Sequence, residues 1–267
     1  YDVTVLDLLS CPITASFVIT EPLKLTALSS QVNVLCNGDN TGSIIVNANG
    51  GTPATTGYTY NWNPNVSSSN SATGIAAGSY SINVSDSLAC SSMVNVTITE
   101  SSAILPAVVS TLNEPCFGDS KGEVQLGASG GTPVYQYEIS SDGINFTPSP
   151  NGNATGLIAG GYTARITDAN GCPKTIPFAI TEPSQIVAIF TNDSVKCFGE
   201  SNGSIAATAS GGSPNYTYNF SNGQTNSNGV LTSLPAGAYS VTVTDSKACF
   251  QVLNTTVYQP DSLEIVV

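Results

Sequence analysis

Apolar and polar residues alternate along most of this chain. Ile44, Val46 and Ala48 share one side of a two-residue period, with Ile45 and Asn47 on the other. Val124, Leu126 and Ala128 repeat the pattern, as do Ile205, Ala207 and Ala209. A second set reads Tyr80, Ile82, Val84, then Tyr162, Ala164, Ile166, then Tyr239, Val241, Val243. Successive side chains of a strand point to opposite faces, so each run predicts a strand with one buried face. Residues 93–98 and their equivalents predict one more. No stretch keeps a helical period. Between the runs lie Gly-Gly-Thr-Pro, Ala-Gly, Asp142-Gly143 and Asn222-Gly223, and the last two suit hairpin turns because both central positions tolerate positive φ. Short strands and turns of this density, in blocks of about 80 residues, predict seven-strand Greek-key sandwiches.

The blocks are copies of one another. Cys36, Cys116 and Cys197 open the phrases C-N-G-D-N-T-G, C-F-G-D-S-K-G and C-F-G-E-S-N-G. The glycines and the acid keep register: Gly38, Asp39, Gly42; Gly118, Asp119, Gly122; Gly199, Glu200, Gly203. Fourteen residues after each cysteine comes G-G-[TS]-P, at 50–53, 130–133 and 211–214. An aromatic alternation follows: Tyr58, Tyr60, Trp62; Tyr135, Tyr137, Ile139; Tyr216, Tyr218, Phe220. It occupies the place of the central core strand, where immunoglobulin-like folds bury a tryptophan. Then comes A-G-x-Y, whose tyrosine (Tyr80, Tyr162, Tyr239) is expected to bond back to the preceding turn as a corner residue. Six residues on stands an Asp (Asp86, Asp168, Asp245), and four beyond that a second cysteine (Cys90, Cys172, Cys249). Each block closes near I-T-E-P, in full at 180–183, without the proline at 98–100, and more loosely at Gln259-Pro260. Tyr1, Asp7 and Cys11 keep the same spacings, and 19–22 repeats the closing phrase. The spacing therefore predicts the tail of a repeat at 1–22, three repeats at 23–100, 101–183 and 184–260, and the first strand of another at 261–267.

Composition narrows the function. Only 9% of residues are charged, against roughly a quarter in ordinary soluble domains, and Asn, Ser, Thr and Gly carry the polarity. The balance is acidic, 18 Asp and Glu against 6 Lys and Arg, for a net charge of −12. That argues against nucleic acid and against docking on anionic lipid. No apolar run is long enough for a membrane span, so no membrane insertion is expected in this segment. The chain has no histidine, which removes the commonest general base and metal ligand.

Seven cysteines in such a chain predict disulfides and export. Pairing within a repeat gives Cys36–Cys90, Cys116–Cys172 and Cys197–Cys249. Each bond would close a loop of some 55 residues, worth about 4 kcal/mol in the chain-entropy model. Cys11 would pair with a residue outside the sequence. The alternative joins the first cysteine of one repeat to the second of the next, as Cys36–Cys172, because in a sandwich the two positions of one repeat tend to lie at opposite poles.

Other chemistry is weaker. The C-x-G-[DE] loops carry one acidic side chain each, whereas strong Ca²⁺ sites gather several, so solvated turns are expected and no metal or cofactor. The aromatic stripe reads as core, with a sugar-stacking platform as the alternative. The glycine-rich phrases lack the Lys-[Ser/Thr] of phosphate loops. Paired carboxylates that recur identically in every repeat suit structure better than one active site, so no enzyme is expected.

Taken together, the phrases C-x-G-[DE]-x-x-G, G-G-[TS]-P-x-x-Y-x-Y, A-G-x-Y-x-[VI]-x-[VI]-x-D, Cys and I-T-E-P resemble the SprB-type repeat of very large surface adhesins from gliding and related Bacteroidetes. The part from G-G-[TS]-P to the Asp also resembles polycystic-kidney-disease (PKD) domains, which are immunoglobulin-like. The resemblance covers nearly the whole chain. It implies an all-β fold of tandem immunoglobulin-like (PKD-like) Greek-key β-sandwiches, export by the type IX route, surface display, and roles in adhesion or gliding. The second copy departs by an insert at 141–153. Asp-Ser-aliphatic triplets at Ser87, Ser194 and Ser262 are similar to Bacteroidetes O-glycosylation sites. The function so implied is a structural stalk or filament segment of a giant secreted adhesin. Its partners would be neighbouring repeats, identical chains in a filament, or surface polysaccharide. Weak multivalent glycan binding by the repeats, and accessory modules of a secreted enzyme, are the alternatives.

Overall fold

Glycine, proline and asparagine break the chain into short strands whose apolar faces can be buried only by pairing sheets face to face. The computed structural model describes residues 1–265 and contains strands and a single 3₁₀ turn. By packing it divides into two units. One holds Tyr1–Ile104 with Gly130–Pro133 and Ala169–Cys172; the other holds Leu105–Ser129, Val134–Asp168 and the chain from Pro173 on.

In the first unit, β1 (Asp2–Leu6) and β2 (Pro12–Ser16) form an antiparallel hairpin whose residues are all exposed. The first sandwich follows: β3 (Thr26–Val32), β4 (Gly42–Asn49), β5 (Thr59–Asn63), β6 (Ser71–Ile75), β7 (Gly78–Ser85) and β8 (Ser91–Ile98). One sheet has the order β3-β4-β6 and the other β5-β7-β8. The core contains Ile44, Val46, Trp62, Ile82, Val84 and Ile98, inward positions of the predicted alternations, together with Val34 from the loop after β3. Trp62 is 2% exposed and its indole N–H donates to Ser69 O at 2.8 Å. Tyr58 and Tyr60 pack half-buried against this core, so the stripe is core rather than platform.

The second unit carries β9 (Leu105–Leu112), β10 (Gly122–Ser129), β11 (Gln136–Ser140), β12 (Thr147–Pro148), β13 (Asn153–Leu157), β14 (Gly160–Thr167) and β15 (Pro173–Ile180). Their sheets are β9-β10-β13 and β12-β11-β14-β15. A third set repeats the plan: β16 (Val187–Asp193), β17 (Gly203–Ser210), β18 (Thr217–Phe220), β19 (Thr225–Asn226), β20 (Val230–Leu234), β21 (Gly237–Thr244) and β22 (Phe250–Val257), in sheets β16-β17-β20 and β19-β18-β21-β22. Three strands against four is an immunoglobulin-like arrangement. The seventh strand is the short β12 or β19, folded back on the aromatic strand through the turns at Asp142-Gly143 and Asn222-Gly223. The first sandwich has no such turn after Trp62 and forms six strands, one fewer than predicted.

The corner tyrosines behave as expected, with Tyr80, Tyr162 and Tyr239 hydroxyls donating to Ala76 O, Ile158 O and Pro235 O at 2.9, 2.9 and 3.0 Å. The second glycine of each cysteine phrase starts β4, β10 or β17 at a break in strand register. A Cβ on Gly122 would lie 2.6 Å from both Leu157 O and Ile180 Cγ2, so only glycine lets the strand pass there. Of the strand predicted at 261–267, residues 261–265 are unpaired coil, since no described strand runs beside them, and 266–267 lie outside the described residues.

Candidate functional site: the repeat junctions

Each repeat offers a loop at its first cysteine, here called a socket, and a turn at its second, here called a hook. In the socket the cysteine carbonyl accepts the N–H three residues on: Asp39 N at 3.2 Å from Cys36 O, Asp119 N at 3.3 Å from Cys116 O, and Glu200 N at 3.2 Å from Cys197 O. The glycine between sits at φ 81° (Gly38), 73° (Gly118) and 81° (Gly199), the left-handed region that glycine enters without a Cβ penalty. Its N–H donates to a side chain from the end of the same repeat: Glu100 Oε2 and Glu182 Oε2 at 2.7 Å, and Gln259 Oε1 at 3.1 Å. The acid of I-T-E-P, which reads in sequence as linker, is thus a clamp on the socket.

The hook is held by the Asp four residues before the second cysteine. Asp86 Oδ1 accepts from Leu88 N and Cys90 N at 3.0 and 2.8 Å. Asp245 Oδ1 accepts from Lys247 N and Cys249 N at 2.8 and 3.0 Å. Asp7 Oδ1 does the same for Leu9 N and Cys11 N at 2.8 and 2.9 Å. The residue before the cysteine is left-handed in all four hooks: Ser10 (64°), Ala89 (66°), Gly171 (82°) and Ala248 (66°). The other carboxylate oxygen of Asp86 and of Asp245 accepts from Thr52 N (2.8 Å) and Ser213 N (2.7 Å), which ties the hook to the G-G-[TS]-P turn. The Thr52 N–H, with those of Cys90 and Leu88, holds the Asp86 carboxyl below the usual carboxylate range, although burial pushes it up.

Socket and hook meet in disulfides between consecutive repeats. Cys36 bonds Cys172 and Cys116 bonds Cys249, each with Cα atoms 5.5 Å apart. The within-repeat pairs Cys36–Cys90, Cys116–Cys172 and Cys197–Cys249 are therefore corrected: Cys11, Cys90 and Cys197 are free and exposed. The reason is geometric. In the first sandwich the socket precedes β4, while the Asp86 bond to Thr52 N fixes the hook beside the turn that follows β4. Eight strand residues span roughly 26 Å, and a disulfide needs Cα atoms within about 7 Å.

Around the bonded cysteines, Asn170 Nδ2 donates to Leu35 O (3.3 Å), Ser101 Oγ (3.3 Å) and Thr132 Oγ1 (2.9 Å). Cys249 Sγ lies 3.2 Å from Pro115 O. Beside this second bridge is an open cleft of about 360 Å³ lined in part by Phe117, Lys121, Gln185 and Phe250. The socket acids do not converge: Asp119 pairs with Lys121 Nζ at 3.0 Å, and Glu200 accepts from Asn202. Among the described residues no group of three or more ligating side chains is placed to hold a metal ion. Chemically, the junction can join and release consecutive repeats by thiol–disulfide exchange. Ser87, Ser194 and Ser262 are all exposed, with the Ser87 hydroxyl donating to Thr52 O at 2.6 Å.

The SprB repeat model matches three times, at residues 28–67, 108–143 and 189–225. Three segments of the chain match the SprB repeat. Each match opens in the first strand, runs through the socket, and ends at or just beyond the aromatic strand. No curated protein sequence matches the chain. Among solved structures, it is similar to the three N-terminal domains of the highly immunogenic outer capsid protein of bacteriophage RB49, at 12% identity and a TM-score of 0.39, over 89% of this chain and 99% of that one. It is also similar to the eight N-terminal Ig domains of Down syndrome cell adhesion molecule, at 9% identity and 0.38, over 88% of this chain and 43% of the other. SprB repeats with disulfides between them mark an extracellular, adhesin-like repeat region.

Proposed function

We propose that this region is a structural stalk or filament segment of a secreted bacterial surface adhesin, and not a catalytic or ligand-binding module. The observation that carries the reading is the linkage: each disulfide joins one repeat to the next instead of clamping a repeat on itself. Load applied along the chain then passes through covalent cross-ties as well as through folded sandwiches. The burial of Trp62, Tyr218 and Phe220 supports the same reading over glycan binding, because stacking on sugars needs exposed rings. Carboxylates such as Asp86 and Asp245 are spent on backbone N–H groups, which supports a structural role. Display through the type IX route, a part in gliding, and glycans on Ser87, Ser194 and Ser262 belong to this proposal.

Single-molecule pulling tests it. With both disulfides closed, the shortest covalent path runs from Cys36 to Cys172, back to Cys116 and across to Cys249. At about 3.5 Å per residue the unfolded chain then extends to about 390 Å, against about 930 Å after reduction. A glycan array run on the same sample should show no saturable binding. Equal extension before and after reduction, or saturable binding to a surface polysaccharide, would overturn the stalk reading.

A further inference from the structure

Three sockets and four hooks are built on the same plan, but only two of each are joined. The third socket is complete: Glu200 N bonds Cys197 O, Gly199 is left-handed, and Gln259 clamps its N–H. Cys197 itself is exposed. The hook at Cys90 is equally complete, tie to the Thr52 turn included, and the hook at Cys11 keeps the same Oδ1 bonds from Asp7; both cysteines are also exposed. Hook geometry is the same in the free Cys90 turn as in the bonded Cys249 turn, down to the φ of 66° at Ala89 and Ala248. Socket and hook are therefore formed before they meet. The equivalents of Cys197, namely Cys36 and Cys116, show what fills a socket, for each is bonded to the hook of another repeat.

We propose that the Cys197 socket is a docking site for a further SprB-type repeat, which inserts an Asp-x-x-x-Cys hook and closes on it as a disulfide. This rests on the stalk reading and gives it direction: each closed bond runs from the socket of one repeat to the hook of the next in the sequence, so linkage is head to tail. The two thiols lose two electrons and two protons. A glutathione-type disulfide accepts both and leaves as two thiols, after a mixed disulfide on one cysteine. Occupancy would bury the hook cysteine, as it does at Cys172 (7% exposed) and Cys249 (8%).

A second copy of this chain is a suitable probe, since it carries two open hooks. Cys197→Ser leaves hooks only; Cys11→Ser with Cys90→Ser leaves the socket only. All three positions are exposed, so the sandwiches stay intact, which circular dichroism would verify. Each variant alone in oxidised and reduced glutathione should remain at the mass of one chain. An equimolar mixture should give a species of twice that mass, lost on reduction, in which peptide mapping finds Cys197 joined to Cys11 or Cys90. Dimers of the hook-only variant through its own cysteines would show unselective thiol pairing and overturn the proposal. So would a mixture that stays monomeric while Cys36–Cys172 and Cys116–Cys249 are found closed. If those two bonds are missing, the stalk reading fails with it, and the same peptide map separates the two failures.

Discussion

Replacing Cys36 and Cys172 together by serine removes one junction bond without stranding a thiol. Trp62 is the single tryptophan of the chain and is 2% exposed in the first sandwich, so its fluorescence follows that sandwich alone. If the first sandwich unfolds while its neighbour stays folded, the bond closes a loop of roughly 70 residues, worth about 4 kcal/mol in the chain-entropy model. If both unfold together the separation is 136 residues, and the value rises to about 5 kcal/mol. For a domain of about 80 residues a loss of 4 kcal/mol lowers the melting temperature by about 20 °C. The assay is urea and thermal unfolding read at Trp62, without and with reductant. Reductant should destabilise the parent chain but leave the Trp62 transition of the double variant in place, because the remaining Cys116–Cys249 ring does not include the first sandwich. A shift below about 1 kcal/mol would refute the loop reasoning. An equal shift from Cys90→Ser alone would refute the pairing itself.

Three further outcomes follow from the packing. Gly122→Ala should destabilise the second sandwich by about 1–3 kcal/mol through overpacking, since its Cβ would meet a backbone oxygen at 2.6 Å; Gly161→Ala, with open space around it and no left-handed φ, should cost less, and calorimetry compares the two. Glu114 is 4% exposed with Oε1 unpartnered and Oε2 accepting from Lys121 N at 2.8 Å, where the other repeats bury Val34 and Val195; because Lys121 is exposed and its N–H can turn to water, Glu114→Val should raise stability by about 1 kcal/mol in the same scans. Backbone N–H donors lower the folded-state pKa of Asp7, Asp86 and Asp142. Their contribution is therefore full above about pH 4 and is lost as pH falls through the lowered folded values. Trp62 melts at pH 7 and pH 3 should differ, and Asp86→Asn should reduce that difference.

Much of this architecture is written in short range. The two-residue period of Ile44 to Ala48 or Tyr80 to Val84 could serve only a half-buried strand, and the recurring phrases located equivalent strands three times over. Corner tyrosines were legible because their hydroxyls reach only four residues back. The seventh strand predicted for the first sandwich is a miss; the turn that makes it in the other two, Asp142-Gly143 or Asn222-Gly223, has no counterpart after Trp62. The disulfide partners were legible only as the second of two readings: the opposite poles of a sandwich pointed to Cys36–Cys172, but cysteine spacing alone does not say which end of the sandwich each loop occupies. That information sits in Asp86 and Glu100. One ties the hook to the turn beyond β4, and the other ties the socket to the end of the repeat. Both recur in strict register and so were visible as signals, but their meaning depends on backbone N–H groups that side-chain patterns do not display.

The two disulfide rings overlap between residues 116 and 172, and this bears on damage outside the cell. A protease that cuts any one peptide bond between Cys36 and Cys249 opens a ring but severs nothing, since the fragments remain tied across the nearest bridge. Repeats joined only by their linkers would be lost at the first cut, together with everything distal to it. Here an extracellular repeat region can be nicked once at each overlap and still hold its length, so that its working lifetime is set by the rarer coincidence of cleavage and reduction.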